Sequence, residues 1–424
     1  MNEETRKEII RLIRAEVVPA MGCTEPAAVS LCVARATELL GCRPETIELL
    51  LSGNIIKNAM GVGIPGTGMI GLPIAVALGA ICGKSEYGLE VLHDVNDQAL
   101  EAGKQYVAGN HIKIRHKSDA PSNLYIEATV TGQGHEVTAI ISGSHTNFIY
   151  FAKDGEVLLD KGVQADSARE DGIKLDYKTV YEFAMTAPMP EIEFITEAGE
   201  LNRRAAMEGN HKDYGHCLGH IISTKGLSLF GDTPLTHMVA LTSSACDARM
   251  GGATVSVMSN SGSGNQGITA TLPVLSYALE IGADHERTVR ALTLSSLTSI
   301  YIKQSLGRLS ALCGCVVAST GASSGLTYLM GGDYGRICAS IKNMVANLTG
   351  MICDGAKPSC AMKISSGVYT ALMSAMLAMN DQCVSSAEGI IDDDIDKTIH
   401  NLTSIGREAM EETDHKVLRI MIEK

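Results

Sequence analysis

The sequence predicts an α+β protein: a mainly helical catalytic domain with a small α+β domain inserted into it. Three observations carry this. Apolar residues recur at helical spacing over residues 3–18 and over nearly all of the chain beyond Glu191. Between about residue 89 and residue 153 the texture changes to short alternating segments. The order there, strand, helix, then three or four strands, suits one compact unit of roughly a hundred residues. The expected division is residues 1–85 and 195–424 for the helical domain and 86–194 for the insert.

Taken in order, Ile9, Ile10, Leu12, Ile13 and Val17 predict a first helix. Met21–Pro26 (MGCTEP) interrupts it. Ala27–Leu40 reads as a second helix, with Thr24 as its cap and Glu25 in the first turn. Thr46–Ser52 is a short apolar run that suits a strand or a buried helix. Gly and Pro punctuate Gly61–Gly71, and Pro73–Ile81 resumes a helix. Leu89–Leu92 reads as a strand and Asn96–Val107 as a helix. Ile112–His116, Leu124–Thr131, Glu136–Ser142 and Phe148–Lys153 read as strands, with Thr131–His135 (TGQGH) as a turn. Glu156–Asp176 is polar and reads as loop. Thr179–Ala187 is helical up to the Pro188–Pro190 break, and Ala409–Glu423 closes the chain as a helix.

Composition limits the function. The chain has 424 residues, 45% apolar and 20% charged, enough to bury a core without staples. Aromatic residues are 4% with no Trp, so the core is aliphatic and small, and base-stacking platforms are not expected. A net charge of −13 without a long basic run argues against nucleic acid. Met1–Glu16 has charges throughout and no apolar stretch of signal-peptide type. With 12 cysteines and no export signal, a cytoplasmic, reducing setting is expected, where thiols serve as ligands, nucleophiles or core fillers. Asn58–Gly83, Met250–Leu279 and Leu309–Gly332 lack charge for long enough to span a bilayer. Their Gly, Ser, Thr, Asn and Pro content favours buried helices and loops instead, so no membrane association is expected. A homodimer is the base-rate expectation for assembly.

The sharpest local feature is the cysteine spacing. Cys313 and Cys315 form a C-x-C, and Cys353 and Cys360 bracket a loop with Gly355 and Pro358. Three or four thiolates are what iron–sulfur clusters and zinc require. Inert core cysteines are the plain alternative. Cys23 stands at a helix start, where a thiol pKa is lowered; a small buried residue is equally consistent. Ser142–Asn147 (SGSHTN) ends a strand and offers hydroxyls and an imidazole for a carboxylate or a proton, or is an ordinary polar turn. His211, His216 and His220 suggest a zinc site, with His216 and His220 on one helix face, or local hydrogen bonding. Gly61-x-Gly63-x-x-Gly66 matches a dinucleotide pattern without a βαβ unit around it. Ser52-Gly53-Asn54 and Ser263-Gly264-Asn265 repeat a tripeptide, each followed by Leu-Pro and a helix. Both turns offer backbone N–H groups to an anion, although chance repetition is the plainer reading.

Gly22–Ala28, Ser142–Asn147, Ser263–Gly267, Leu309–Cys315 and Cys353–Cys360 together resemble the L-cysteine desulfidase family, related to the alpha chain of iron–sulfur L-serine dehydratases. The likeness runs over essentially the whole chain. It implies a [4Fe–4S] cluster on three cysteines with one iron open. Carried over by position, the ligands are Cys313, Cys353 and Cys360, with Cys315 the rival of Cys313. Cys23 matches a cysteine of the reaction centre. SGSHTN is similar to the dehydratase S-S-H-T signature, with Gly143 in place of one serine. The implied chemistry is β-elimination of L-cysteine to pyruvate, ammonia and sulfide, or of L-serine by the same route. Cys23 is the first base and His145 the second, and Asn54, Ser144, Thr146 and Asn265 are substrate contacts. The rivals are an iron–sulfur redox sensor without turnover, a zinc hydrolase, a transporter and a pyridoxal-phosphate lyase; the last lacks a recognisable Schiff-base lysine context.

Overall fold

The computed structural model describes residues 1–162, 173–211, 213–307 and 310–423. Part of the expected Glu156–Asp176 loop, and Leu309 of the Leu309–Cys315 motif, lie outside them. The architecture is α+β, with one mixed six-stranded sheet, two two-stranded ribbons and helices elsewhere.

The sheet runs, in spatial order, Ile112–His116, Thr46–Leu51, Tyr125–Gly132, His135–Ser142, Phe148–Lys153 and Glu156–Asp160. Thr46–Leu51 pairs parallel to Ile112–His116 and antiparallel to Tyr125–Gly132. The sheet therefore takes a central strand from upstream of residue 86, the expected start of the insert. The parallel pair needs a long crossover, which residues 53–108 supply with their helices. Gln133 and Gly134 both have positive φ, the geometry of a tight hairpin turn, as the TGQGH motif predicts. The helix Thr24–Leu40 covers one face of the sheet, burying Val29, Val33 and Ala36 against Ile126, Ala128 and Val137. The other face keeps Thr side chains that pair across strands, Thr46 with Thr131 and Thr129 with Thr138.

Three expectations are corrected. Leu89–Leu92 is not a strand; a 3₁₀ helix, Ser85–Glu90, runs into a turn there. Glu156–Asp160 is an edge strand rather than loop. Cys23, not Thr24, is the residue before the second helix, which starts at Thr24. The expected closing helix is present over Glu411–Ile422, and a π-helical turn over Ile405–Ala409 leads into it.

The helical part is built around Gly314–Leu329, which is buried along nearly all its length. It packs against His285–Leu306, Cys360–Met379, Gly264–Glu280 and Tyr334–Leu348. Small residues make this possible: a Cβ at Gly321 would overlap the Ser295 carbonyl oxygen of the neighbouring helix. Its buried hydroxyls bond back to the preceding turn, Ser319 to Cys315 O (2.6 Å), Thr320 to Val316 O (2.8 Å) and Thr327 to Ser323 O (2.7 Å). The charge-free run Gly314–Leu329 is therefore a core helix, and the other two charge-free stretches combine short strands and turns with helix. Among the described residues no helix is long and apolar enough to cross a membrane.

Candidate active site

The segment that carries Cys23 is fixed from both sides. Pro19–Met21 pairs antiparallel with Ser256–Met258, and Gly22 turns with positive φ into the helix that begins at Thr24. Asn202 locks the partner strand: it accepts from Met258 N (2.8 Å) and donates to Thr271 Oγ1 (2.9 Å). Cys23 is thereby buried, 5% exposed. Its Sγ donates to Glu25 Oε2 at 2.9 Å and lies 3.5 Å from Asn58 O. Burial pushes its thiol pKa well up, the Glu25 carboxylate pushes the same way, and the Arg249 charge opposes them. This corrects the expectation that a helix N-terminus makes Cys23 a thiolate. At rest it is a thiol aimed at a carboxylate. Glu25, read from sequence only as a first-turn acid, is its hydrogen-bond acceptor.

The repeated tripeptide opens a helix in both places. Ser52 and Ser263 each precede a helix that starts at glycine, over Gly53–Ala59 and Gly264–Glu280, so each Asn is the second helical residue. Asn54 Oδ1 accepts from Asn58 Nδ2 (2.9 Å), and Asn58 carries the carbonyl beside Cys23. Asn265 Oδ1 accepts from Arg249 Nη1 (3.1 Å) and from Cys246 Sγ (3.6 Å). Both asparagines thus lie one contact from groups that act on Cys23. Arg249 and Cys246 sit on the helix Pro234–Met250 and are buried.

The remaining thiols are brought together by long-range backbone pairing. Leu312 and Ile352 form an isolated antiparallel bridge, with Cys313 N donating to Met351 O (2.9 Å) and Cys353 N to Ala311 O (2.6 Å). Cys313 and Cys353 share an S–H···S hydrogen bond that holds the Cys313 thiol high. It holds Cys353 below the ordinary thiol range, helped by the charges of Lys57 and Lys363. Cys360 opens the helix Cys360–Met379; the Cys353 charge acts on it, and its own charge acts on Cys315 and Cys246. The loop between Cys353 and Cys360 is pinned at Gly355, whose positive φ and closeness to the Lys57 carbonyl leave no room for a Cβ. Asp354 pairs with Lys357 and Lys363, and Lys57 with Asp414 of the C-terminal helix. Cys315 donates to Lys363 O at 3.1 Å, as Cys360 does to Gly355 O at 3.7 Å, and the charge of Cys315 acts on Cys313.

Among the described residues no three His, Cys, Asp or Glu side chains close on a single-ion site. A four-iron cluster asks for something different, because each thiol binds its own iron and the sulfurs stand further apart. Cys313 just before one helix, Cys360 at the start of another and Cys353 beside the bridge, with the Lys57 and Lys363 charges acting on Cys353, suit such an anionic cluster. His216 precedes the short helix Leu218–Ile221 that contains His220, so the two do not share a helix face as expected.

Ser144, His145 and Thr146 form the turn between the strands His135–Ser142 and Phe148–Lys153. Ser144 and Thr146 are exposed and His145 is half-buried. Ser142 pairs with Tyr125, whose carbonyl accepts from Ser52 N, so this turn and Asn54 share one end of the sheet.

The protein is thus an α+β fold with a cysteine–carboxylate pair at Cys23 and Glu25 and a second group of thiols at Cys313, Cys353 and Cys360. Residues 86–419 match the family described as serine dehydratase alpha chain, and the chain belongs to that family. It is 58% identical over 426 residues to a UPF0597 protein of Bacteroides fragilis, covering all of both chains. It is 55% identical over 432 residues to one of Porphyromonas gingivalis, again covering all of both. A UPF0597 protein of Oleidesulfovibrio alaskensis is 46% identical over 418 residues, 98% of this chain and 97% of that one.

Proposed function

We propose that the protein is a lyase that eliminates the β-substituent of a small amino acid, with L-cysteine as substrate and pyruvate, ammonia and sulfide as products. The observation that carries this is a set of linked groups: Cys23 bonds to Glu25, Arg249 and Cys246 share Asn265, and the Leu312–Ile352 bridge sets Cys313 beside Cys353. Electrostatics tie these groups together, with Arg249 acting on Cys23 and Cys360 on Cys246. Family membership supports the lyase class.

Cys313, Cys353 and Cys360 would hold a [4Fe–4S] cluster, with Cys315 the rival of Cys313; the bridge that sets Cys313 beside Cys353 supports that pair as two of the three ligands. Such a cluster with one open iron supplies a Lewis acid for the leaving group. The chain's own residues do the rest. Glu25 takes the Cys23 proton, and the thiolate then removes the substrate's α proton as the β bond breaks. The electron pair of the α C–H bond becomes the new double bond, and the leaving sulfur keeps the pair of the broken one. The enamine tautomerises and is hydrolysed to pyruvate and ammonia. Asn54 and Asn265 hold substrate polar groups, and the aliphatic walls exclude water. His145, with Ser144 and Thr146, is the second source of a base, from the turn at the sheet end.

L-Serine is the second reading, favoured by the family description. It needs the same proton transfer and differs only in the leaving atom. The test is anaerobic assay of iron-reconstituted protein with each amino acid, following pyruvate and sulfide. Faster pyruvate release from L-cysteine with matching sulfide supports the first reading, and faster release from L-serine the second. No pyruvate from either would reject both.

A further inference from the structure

Arg249 is an unbalanced charge inside the protein. It is 6% exposed. Among the described residues no carboxylate lies within ion-pair distance of it, and its Nε has no hydrogen-bond partner. Its hydrogen bond is from Nη1 to Asn265 Oδ1, a neutral acceptor, at 3.1 Å. A buried guanidinium cannot escape this by losing its proton, and burying a charge without a counter-ion is costly. Such a residue is retained where an anion arrives.

The surroundings say which kind of anion. The helix Gly264–Glu280 begins against the guanidinium, and a Cβ at Gly264 would overlap Arg249 Nε. The positive end of that helix adds to the arginine charge. The guanidinium acts electrostatically on both Cys23 and Cys246, so the place lies within the site already described. The planar fork matches a carboxylate in two-point fashion. We propose that Arg249, with Asn265 and the first turn of the Gly264–Glu280 helix, anchors a small carboxylate: the α-carboxylate of the amino-acid substrate. This rests on the lyase reading for the identity of the ligand. Held there, the substrate leaves its α hydrogen to Cys23 and its β-substituent to the thiol centre.

The test uses the iron-reconstituted full chain and its Arg249→Met and Arg249→Lys variants. Propionate and propionamide are the probes, titrated by ligand-observed NMR, with iron measured on the same samples. The wild type is expected to bind propionate and not propionamide. Arg249→Met weakens propionate binding by about 10- to 100-fold, the range for a lost hydrogen bond to a charged group. Arg249→Lys falls between the two and gives the answer if the Met variant is not recovered. Iron content is unchanged in both, and for whichever amino acid is turned over the Lys variant raises KM more than it lowers kcat. Equal propionate affinity in wild type and variants would overturn the proposal, as would a wild type that binds neither probe or both alike. Loss of iron from the variants would also overturn it, since the arginine would then serve the thiol centre. Propionate binding through Arg249 without turnover of L-cysteine or L-serine would keep the anchor and reject the lyase reading; turnover with KM unchanged in the Lys variant would do the reverse.

Discussion

Replacing Glu25 by Gln tests the proton-transfer pair, because it moves two observables in opposite directions. In the wild type the Cys23 thiol is raised by burial first and by the Glu25 charge second. At 2.9 Å and an effective dielectric of about 20, repulsion between a Cys23 thiolate and the Glu25 carboxylate is about 6 kcal/mol before relaxation. Neighbouring charges in proteins typically move a pKa by about one to three units. Glu25→Gln removes that repulsion while keeping an acceptor oxygen for the S–H. The Cys23 pKa therefore falls, although burial keeps it above an ordinary thiol. Turnover falls by about 10²- to 10⁴-fold, the loss expected when a positioned proton acceptor is removed. The assay pairs anaerobic pyruvate release with a titration of thiolate ultraviolet absorbance, using Cys23→Ser as background. Unchanged kcat in Glu25→Gln, or a Cys23 pKa that rises, would refute the reasoning.

Other consequences concern the frame. Gly355→Ala places a methyl group on the Lys57 carbonyl at a positive φ, so it should cost about 2 kcal/mol or more and lower iron retention further than a comparable change elsewhere; iron analysis beside a denaturant melt checks this. Asn202→Ala strips a fully buried amide of its bonds to Met258 and Thr271 and should destabilise by about 2–4 kcal/mol in the same melt. His237 is bonded to Glu280 and Asp232, and these raise its pKa above 6.5. Its contribution is therefore fully present below about pH 6.5 and is lost as pH rises through the raised value. The thermal-stability gap between wild type and His237→Gln should shrink across that window; a gap that widens would contradict the assignment.

Local chemistry made much of the fold legible. Gln133 and Gly134 mark a hairpin because positive φ is needed at both, and the flanking alternation is clear. The Ser-Gly-Asn repeats mislead, because glycine reads as a turn where it opens a helix, and Pro273 lies inside the helix that Gly264 starts. Glu156–Asp160 is not readable, because an exposed edge strand of five residues carries no buried face to set a period. Leu89–Leu92 misleads because a short apolar run is the same in a strand and a turn. The site divides likewise. Cys313, Cys353 and Cys360 can be suspected from spacing, but their approach depends on the Leu312–Ile352 bridge, which joins segments forty residues apart. Arg249 and Glu25 look ordinary in sequence. Arg249 stands out only once the fold buries it without a counter-ion, and Glu25 once the turn at Gly22 aims Cys23 at it.

The most direct measurement is iron per chain in anaerobically reconstituted protein, taken together with pyruvate release, for the wild type and for Cys353→Ser and Cys315→Ser. The account predicts about four irons per chain in the wild type, with pyruvate formed. It predicts that Cys315→Ser keeps the iron and that Cys353→Ser loses both iron and turnover. A wild type that takes up no iron, or a Cys353→Ser variant that keeps iron and activity while Cys315→Ser loses them, would contradict it.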